Sequence, residues 1–212
     1  VDTRFLLVEP NNFTVMILAF IDESGERHNT VWPPSGASHM QLSRQDLTNE
    51  LYHGAGWFHL SGICLRESPA RETSLTALEM ARERGIPTSF DLNMRTEFFG
   101  WNKQDKRIFT QAAALSDHLL GSAREEMVPL AEAATGEGAP PWPGDAPGGA
   151  QGGETGDGAA PEPLRWAVER LGRTDRVTVA RMGATGLWAL TPEGELYLPS
   201  YEVSVVDMLG SG

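Results

Sequence analysis

The chain has 212 residues, 40% of them hydrophobic and 22% charged, with a net charge of −12. This composition describes a globular domain large enough to bury a sizeable core, and the acidic balance argues against nucleic acid or an anionic membrane surface as a partner. The single Cys64 excludes an internal disulfide framework and suits a reducing, cytoplasmic setting, and no run of about 18 apolar residues is present to span a bilayer.

The chain opens on Val1 and its first residues have the texture of mid-domain sequence, so it reads as a piece of a longer protein cut at both ends. Residues 13–20 (Phe-Thr-Val-Met-Ile-Leu-Ala-Phe) form a β-rich apolar run. Residues 22–26 supply turn formers and residues 27–31 return as a second strand, which predicts a β-hairpin. Trp32-Pro33-Pro34-Ser35-Gly36 imposes irregular backbone. Ser43 with Asp46 three positions on has the capping pattern of a short helix running to about Tyr52.

From residue 57 strands and helices alternate. Residues 57–62 make a short strand ending in Ser61-Gly62. Ser68-Pro69 opens a helix with Leu75, Leu78 and Ala81 on its apolar face, stopped by Gly85. A strand at 87–91, a helix at 102–115 carrying Ile108, Phe109, Ala112 and Leu115, and a strand at 117–121 follow. Ser122-Ala123-Arg124-Glu125 then opens a helix to about Ala134. Residues 136–163 hold nine glycines, six prolines, five acids and no base, too little apolar surface to offset ordering. They read as a mobile surface insertion inside one domain rather than a linker, because the alternation resumes with a helix at 164–171 and a strand at 176–181. A hairpin about Glu193-Gly194 and a last strand at 203–206 complete the chain.

A hairpin followed by repeated βα units predicts an α/β fold with a largely parallel sheet and helices on both faces. Ligands then sit beyond the carboxyl ends of the strands. Those ends carry Ser61-Gly62, then Asp91, Asn93 and Arg95, then Ser122 with Glu125, then Arg181 with Gly183, and finally Gly210-Ser211-Gly212. Carboxylates, an amide, guanidinium groups and glycine turns are the inventory for a phosphorylated ligand and a divalent metal. Two points stay open on spacing alone. The Asp91-to-Arg95 cluster either caps its own turn or grips an anion, and Glu125 either closes an S-x-x-E capping box or faces a metal. The five histidines show no ligand spacing, so zinc is not expected.

In this order the segments resemble the ribokinase-like (phosphofructokinase-B type) carbohydrate kinases over nearly the whole chain apart from 136–163, nearest to 2-keto-3-deoxygluconate kinase and fructokinase members. The segments that carry the resemblance are Phe58-His59-Leu60-Ser61-Gly62, Phe90-Asp91-Leu92-Asn93-Met94-Arg95, residues 117–125, residues 177–186, and Val206-Asp207-Met208-Leu209-Gly210-Ser211-Gly212 against the signature Asp-Thr-x-Gly-Ala-Gly-Asp. The resemblance implies a three-layer fold with a mostly parallel central sheet and a small β lid, formed by about the first 40 residues. It implies ATP and Mg²⁺, and transfer of the γ-phosphoryl group to a primary hydroxyl of a sugar or sugar acid. Gly210, Ser211 and Gly212 would form the anion hole and Glu125 would act on Mg²⁺ through water, a role compatible with capping. Ser122, Arg181 and Gly183 would lie on the nucleotide side, Asn93 and Arg95 near the sugar, and a homodimer would form through the lid.

Departures accompany the match. Ser122 replaces the family asparagine, the catalytic aspartate is expected directly after Gly212, and no lid arginine appears near Trp32-Pro33-Pro34, which speaks against a keto-deoxy acid. The 212 residues alone are therefore expected to be inactive. The alternatives are a non-catalytic regulatory or binding protein of this fold, and a haloacid-dehalogenase-type phosphatase with Asp91 as nucleophile, which Asn93 in place of a second aspartate disfavours.

Overall fold

A computed structural model of the chain describes residues 3–22, 27–143, 145, 160–171 and 175–202. The hairpin forms as β1 (Met16–Ile21) and β2 (Arg27–Trp32), antiparallel in the register Met16↔Trp32 to Ile21↔Arg27. It is a separate two-stranded ribbon. Met16, Ile17, Phe20 and Ile21 stay exposed, because no second layer among the described residues covers either face. Its base is tied down where Phe13 stacks on Trp32 at 4.9 Å and Asn12 and Phe13 bond to Gly36 and Ser38.

The main sheet has six strands in chain order: β3 (Phe58–Ser61), β4 (Thr88–Asp91), β5 (His118–Ser122), β6 (Val177–Arg181), β7 (Leu187–Thr191) and β8 (Gly194–Leu198). The first four run parallel and the last two add an antiparallel hairpin. The crossover helices are α1 (Ala70–Glu83), α3 (Lys103–Leu115), α4 (Val128–Thr135) and α5 (Glu162–Arg170), with a one-turn helix α2 (Thr96–Phe99) before α3. Crossovers between parallel strands are right-handed as a rule, and with each advancing one strand in the same direction successive helices fall side by side on one face. The described residues thus build the expected α/β fold, a mostly parallel sheet with helices, and supply one helical layer of it.

Alternation along the strands explains the core. Leu60, Phe90, Leu119, Ala180 and Trp188 point into that layer and meet Leu75, Leu78, Ile108, Phe109 and Leu130. Side chains of the opposite face, such as His59, Trp57, Leu196 and Leu198, are exposed. Burial of this order is worth about 1.5–3 kcal/mol per large apolar side chain and is the main force holding the layers together.

Three local expectations need correction. The helix foreseen after Ser43 is two 3₁₀ turns, Arg44–Asp46 and Asn49–Tyr52, although the Ser43–Asp46 capping box is present. Leu47 and Thr48 between them are extended, in keeping with a threonine that favours a cap over a helix interior. Ser68 does not cap α1: Pro69 occupies the cap position and the Ser68 hydroxyl donates to Glu72 Oε1 at 2.9 Å. The foreseen insertion 136–163 overlaps α5, which begins at Glu162, and Ala160 and Trp142 are packed into or against the core. The predicted strand at 203–206 and the Gly210-Ser211-Gly212 turn lie outside the described residues.

Beneath the sheet edge a charged group is sealed in apolar surroundings. Arg66 has its side chain 1% exposed, pairs with Asp105 at 3.3 Å and donates to Gly100 O at 3.2 Å. Its guanidinium lies over the rings of Phe109, Phe99 and Trp101. Burial lowers its pKa from the usual arginine range, with Asp105 opposing that shift. Asp105 also completes the capping box of α3 with Asn102.

Candidate active site at the strand ends

The carboxyl ends of β3 to β6 converge on one edge. β3 and β4 finish in register at Ser61↔Asp91, and β5 and β6 at Ser122↔Arg181. Ser61 is followed by Gly62, where a Cβ would lie 1.8 Å from Leu92 O; only glycine lets the segment after β4 pass this closely.

That segment is Asp91-Leu92-Asn93-Met94-Arg95. Leu92 and Met94 are fully buried, and the Leu92 N–H donates to Leu120 O at 2.8 Å. Asn93 and Arg95 between and after them have φ of 35° and 47°, a left-handed conformation uncommon for any residue but glycine and asparagine. Asn93 Nδ2 donates to Ser61 Oγ at 3.0 Å. Arg95 is half exposed and its nearest ionic partner is Glu97 at 3.9 Å. Non-glycine residues held in this region persist only where their surroundings over-determine them.

The group that holds this segment is Glu126. Its Oε1 accepts the Met94 N–H at 2.6 Å and its Oε2 accepts the Ser122 N–H at 2.7 Å, with the residue only 9% exposed. Gly121 makes room for that carboxylate, since a Cβ there would stand 3.1 Å from Oε2 and 2.9 Å from Leu92 Cδ1. Sequence spacing had pointed to Glu125 for this kind of bond. The difference is a π turn, Ala123–Met127, in which the Val128 N–H reaches Ala123 O. Pro129 supplies no N–H and its ring would crowd the carbonyl four residues back, so the helix widens by one residue ahead of it. Ser122 still caps, accepting the Glu125 N–H at 3.4 Å, but the residue that reaches back is the fourth after the cap. Glu125 is released and exposed.

Glu125 lines an open pocket of about 220 Å³ together with Ser122, Arg124, Arg181, Met182 and Gly183, closed on the far side by Trp142, Pro143 and Pro161. Four of the singled-out residues (Ser122, Glu125, Arg181 and Gly183) therefore meet in one place. Asn93 and Arg95 do not line it. Gly183 takes φ of 58° at the start of the 3₁₀ turn Gly183–Thr185, which folds the chain after β6 back over the pocket edge. Arg181 faces Asp91 at 3.3 Å and Glu126 at 3.5 Å, longer than the ~2.8 Å of a strong charge-assisted bond. Sequence reasoning missed Glu126, Asp91 as the partner of Arg181, and Trp142; the second glutamate beside Glu125 with a proline three residues later was the available signal for the first.

Among the described residues no three carboxylates, histidines or cysteines cluster to cage a metal. The donor set fits a magnesium ion held through water by the single exposed Glu125 carboxylate and by a ligand's phosphate oxygens, the mode Mg²⁺ commonly takes. No helix among the described residues is long and apolar enough to cross a membrane.

No family model matches the chain. It is 28% identical to aminoimidazole riboside kinase of Salmonella typhimurium over 212 residues, all of this chain and 57% of that protein. It is 34% identical to 5-dehydro-2-deoxygluconokinase of Clostridium tetani over 92 residues, 42% of this chain and 26% of the relative. Among solved structures, aminoimidazole riboside kinase from Salmonella enterica complexed with aminoimidazole riboside and an ATP analog superposes with a TM-score of 0.66 at 26% identity, covering 100% of this chain and 58% of that one. A fructokinase double mutant from Vibrio cholerae O395 in fructose, ADP and potassium ion bound form gives 0.70 at 22% identity over 100% and 58%. The chain thus spans little more than half the length of the relative that it matches from end to end.

Proposed function

We propose, for a chain homologous along its whole length to the phosphofructokinase-B-type carbohydrate kinases, that it is part of an ATP-dependent sugar kinase. The carrying observation is the meeting of Ser122, Glu125, Arg181 and Gly183 in one pocket at the strand ends. In this reading the pocket takes the phosphates of ATP. A primary hydroxyl of a sugar or sugar acid attacks the γ-phosphorus, the new O–P bond forms as the bond to the bridging oxygen breaks, and ADP leaves. The hydroxyl proton passes to the aspartate that the family signature sets after its last glycine.

Arg181 orients and neutralises phosphate oxygens, and Glu125 holds the water shell of Mg²⁺, which supplies charge neutralisation when bound. Asn93, anchored to Ser61, is assigned to the sugar side of the edge. The anion hole is assigned to Gly210, Ser211 and Gly212, outside the described residues. The exposed apolar β1–β2 ribbon suits a lid that closes over sugar and pairs with a second copy, and the free Cys64 suits the cytoplasm.

The test is ATP consumption by the protein that contains this chain, with fructose, aminoimidazole riboside and keto-deoxy sugar acids as acceptors. Turnover of at least one sugar, reduced about a hundredfold or more by Arg181→Gln, is expected. No turnover with any acceptor, or an Arg181→Gln variant as active as the parent, would sink the reading. Light scattering on the same sample checks the dimer, which Ile17→Lys in the ribbon should split.

A further inference from the structure

The residues 136–163 read from sequence as a mobile surface insertion, and Trp142 and Pro143 from its start and Pro161 from its end form one wall of the pocket. Against that wall lies Arg124, a residue to which neither the spacing nor the resemblance gives a role. Its guanidinium stands 5.6 Å over the Trp142 ring and is paired with Asp145. Both ionic partners are about half exposed, at 54% and 41% for their side chains. Trp142 in turn packs against the main core, so the aromatic platform under Arg124 is fixed.

We propose that Arg124 is a second phosphate-gripping cation of this pocket, carried on Trp142, and that Asp145 is the internal anion which a nucleotide's phosphates displace. The inference rests on reading the pocket as a phosphate site. Three observations lead to it. Arg124 and Arg181 both line the pocket, with Glu125 as the carboxylate among the lining residues, so two guanidinium groups face one cavity. Arg181 is shared between Asp91 and Glu126 at long distances, so the two cations differ: one is set in the sheet edge by two carboxylates, the other is held by one exposed carboxylate. An exposed pair of that kind contributes little, and a polyphosphate presenting several oxygens to a planar fork outcompetes it. Stacking on Trp142 keeps the guanidinium plane in position during the exchange, so its fork is pre-ordered for a bidentate phosphate contact.

The experiment is calorimetric titration of the full protein containing this chain with ATP, with inorganic tripolyphosphate and with adenosine. Arg124→Gln is expected to weaken ATP and tripolyphosphate about tenfold and leave adenosine unchanged, while Asp145→Asn tightens both phosphate ligands about threefold. Opposite signs from the two members of one ion pair separate a phosphate contact from a structural role, because loss of a merely structural pair shifts both variants the same way. Thermal melts of both variants should stay close to the parent. If the parent binds ATP and Arg181→Gln weakens it, but Arg124→Gln and Asp145→Asn leave tripolyphosphate affinity unchanged, this proposal alone is overturned. If the parent binds neither ATP nor tripolyphosphate, the proposal falls together with the kinase reading.

Discussion

Replacing Glu126 by glutamine tests whether one buried carboxylate sets the shape of the strand-end site. The two oxygens accept buried N–H groups from Met94 at 2.6 Å and Ser122 at 2.7 Å, on segments that follow β4 and end β5. Glutamine keeps one acceptor and turns an NH₂ toward the other amide, so one charge-assisted bond is lost and one donor is orphaned. Hydrogen bonds to a charged group contribute about 1.5–3 kcal/mol, which puts the loss near 2 kcal/mol for Glu126→Gln and near 4 kcal/mol for Glu126→Ala, where both donors are orphaned. For a chain of this size 2 kcal/mol lowers Tm by about 4–8 °C. Exposed Glu125→Gln should stay within about 0.5 kcal/mol of the parent. Thermal melts supply the magnitude, and amide hydrogen exchange at Met94 and Ser122 supplies the location. A Glu126→Gln protein that melts with the parent and keeps both amides protected would refute the clamp.

Further outcomes follow from the buried groups. Asp105→Ala strands the Arg66 guanidinium, whose Nε and Nη2 already lack partners among the described residues, and should cost about 3–5 kcal/mol in urea unfolding. Asp105→Ala combined with Arg66→Met should recover much of that, and a double variant as unstable as the single would contradict the account. Burial pushes the Cys64 thiol above the usual range, so alkylation near pH 8 should run at least about tenfold slower in the folded protein than in urea. Equal rates would show the site to be open. Burial holds His39 below the ordinary value of 6.5, with Glu67 opposing. Its contribution is therefore present above 6.5 and lost as pH falls through the lowered folded value, and His39→Gln should flatten that limb of a stability–pH curve.

Where the sequence was legible, each local signal agreed with the others. The spacing of Ile108, Phe109, Ala112 and Leu115 marked out α3, Gly85 the end of α1, and Ser61-Gly62 the end of β3. Pairings made by the fold rather than the chain were not legible: Arg181 with Asp91, Arg66 with Asp105, Trp142 with Arg124. Glu126 was hidden for a different reason. The S-x-x-E rule assumes an α-helical turn, and a proline seven residues after the cap shifts the register by one. The placement of the described helices in one layer was likewise invisible to periodicity, because alternation tells which side of a strand is apolar but not the direction in which the next strand is added.

That order of addition has a consequence for how the chain comes to be folded. In a sheet that runs β3-β4-β5-β6-β7-β8, every new strand pairs with the one made just before it. Among the described residues no strand of this sheet pairs across another, so each can dock on the strand made just before it. Among the described strands the sheet is extended at one edge. Synthesis itself, rather than a search among pairings, sets the sequence in which the strand ends of the site are brought together.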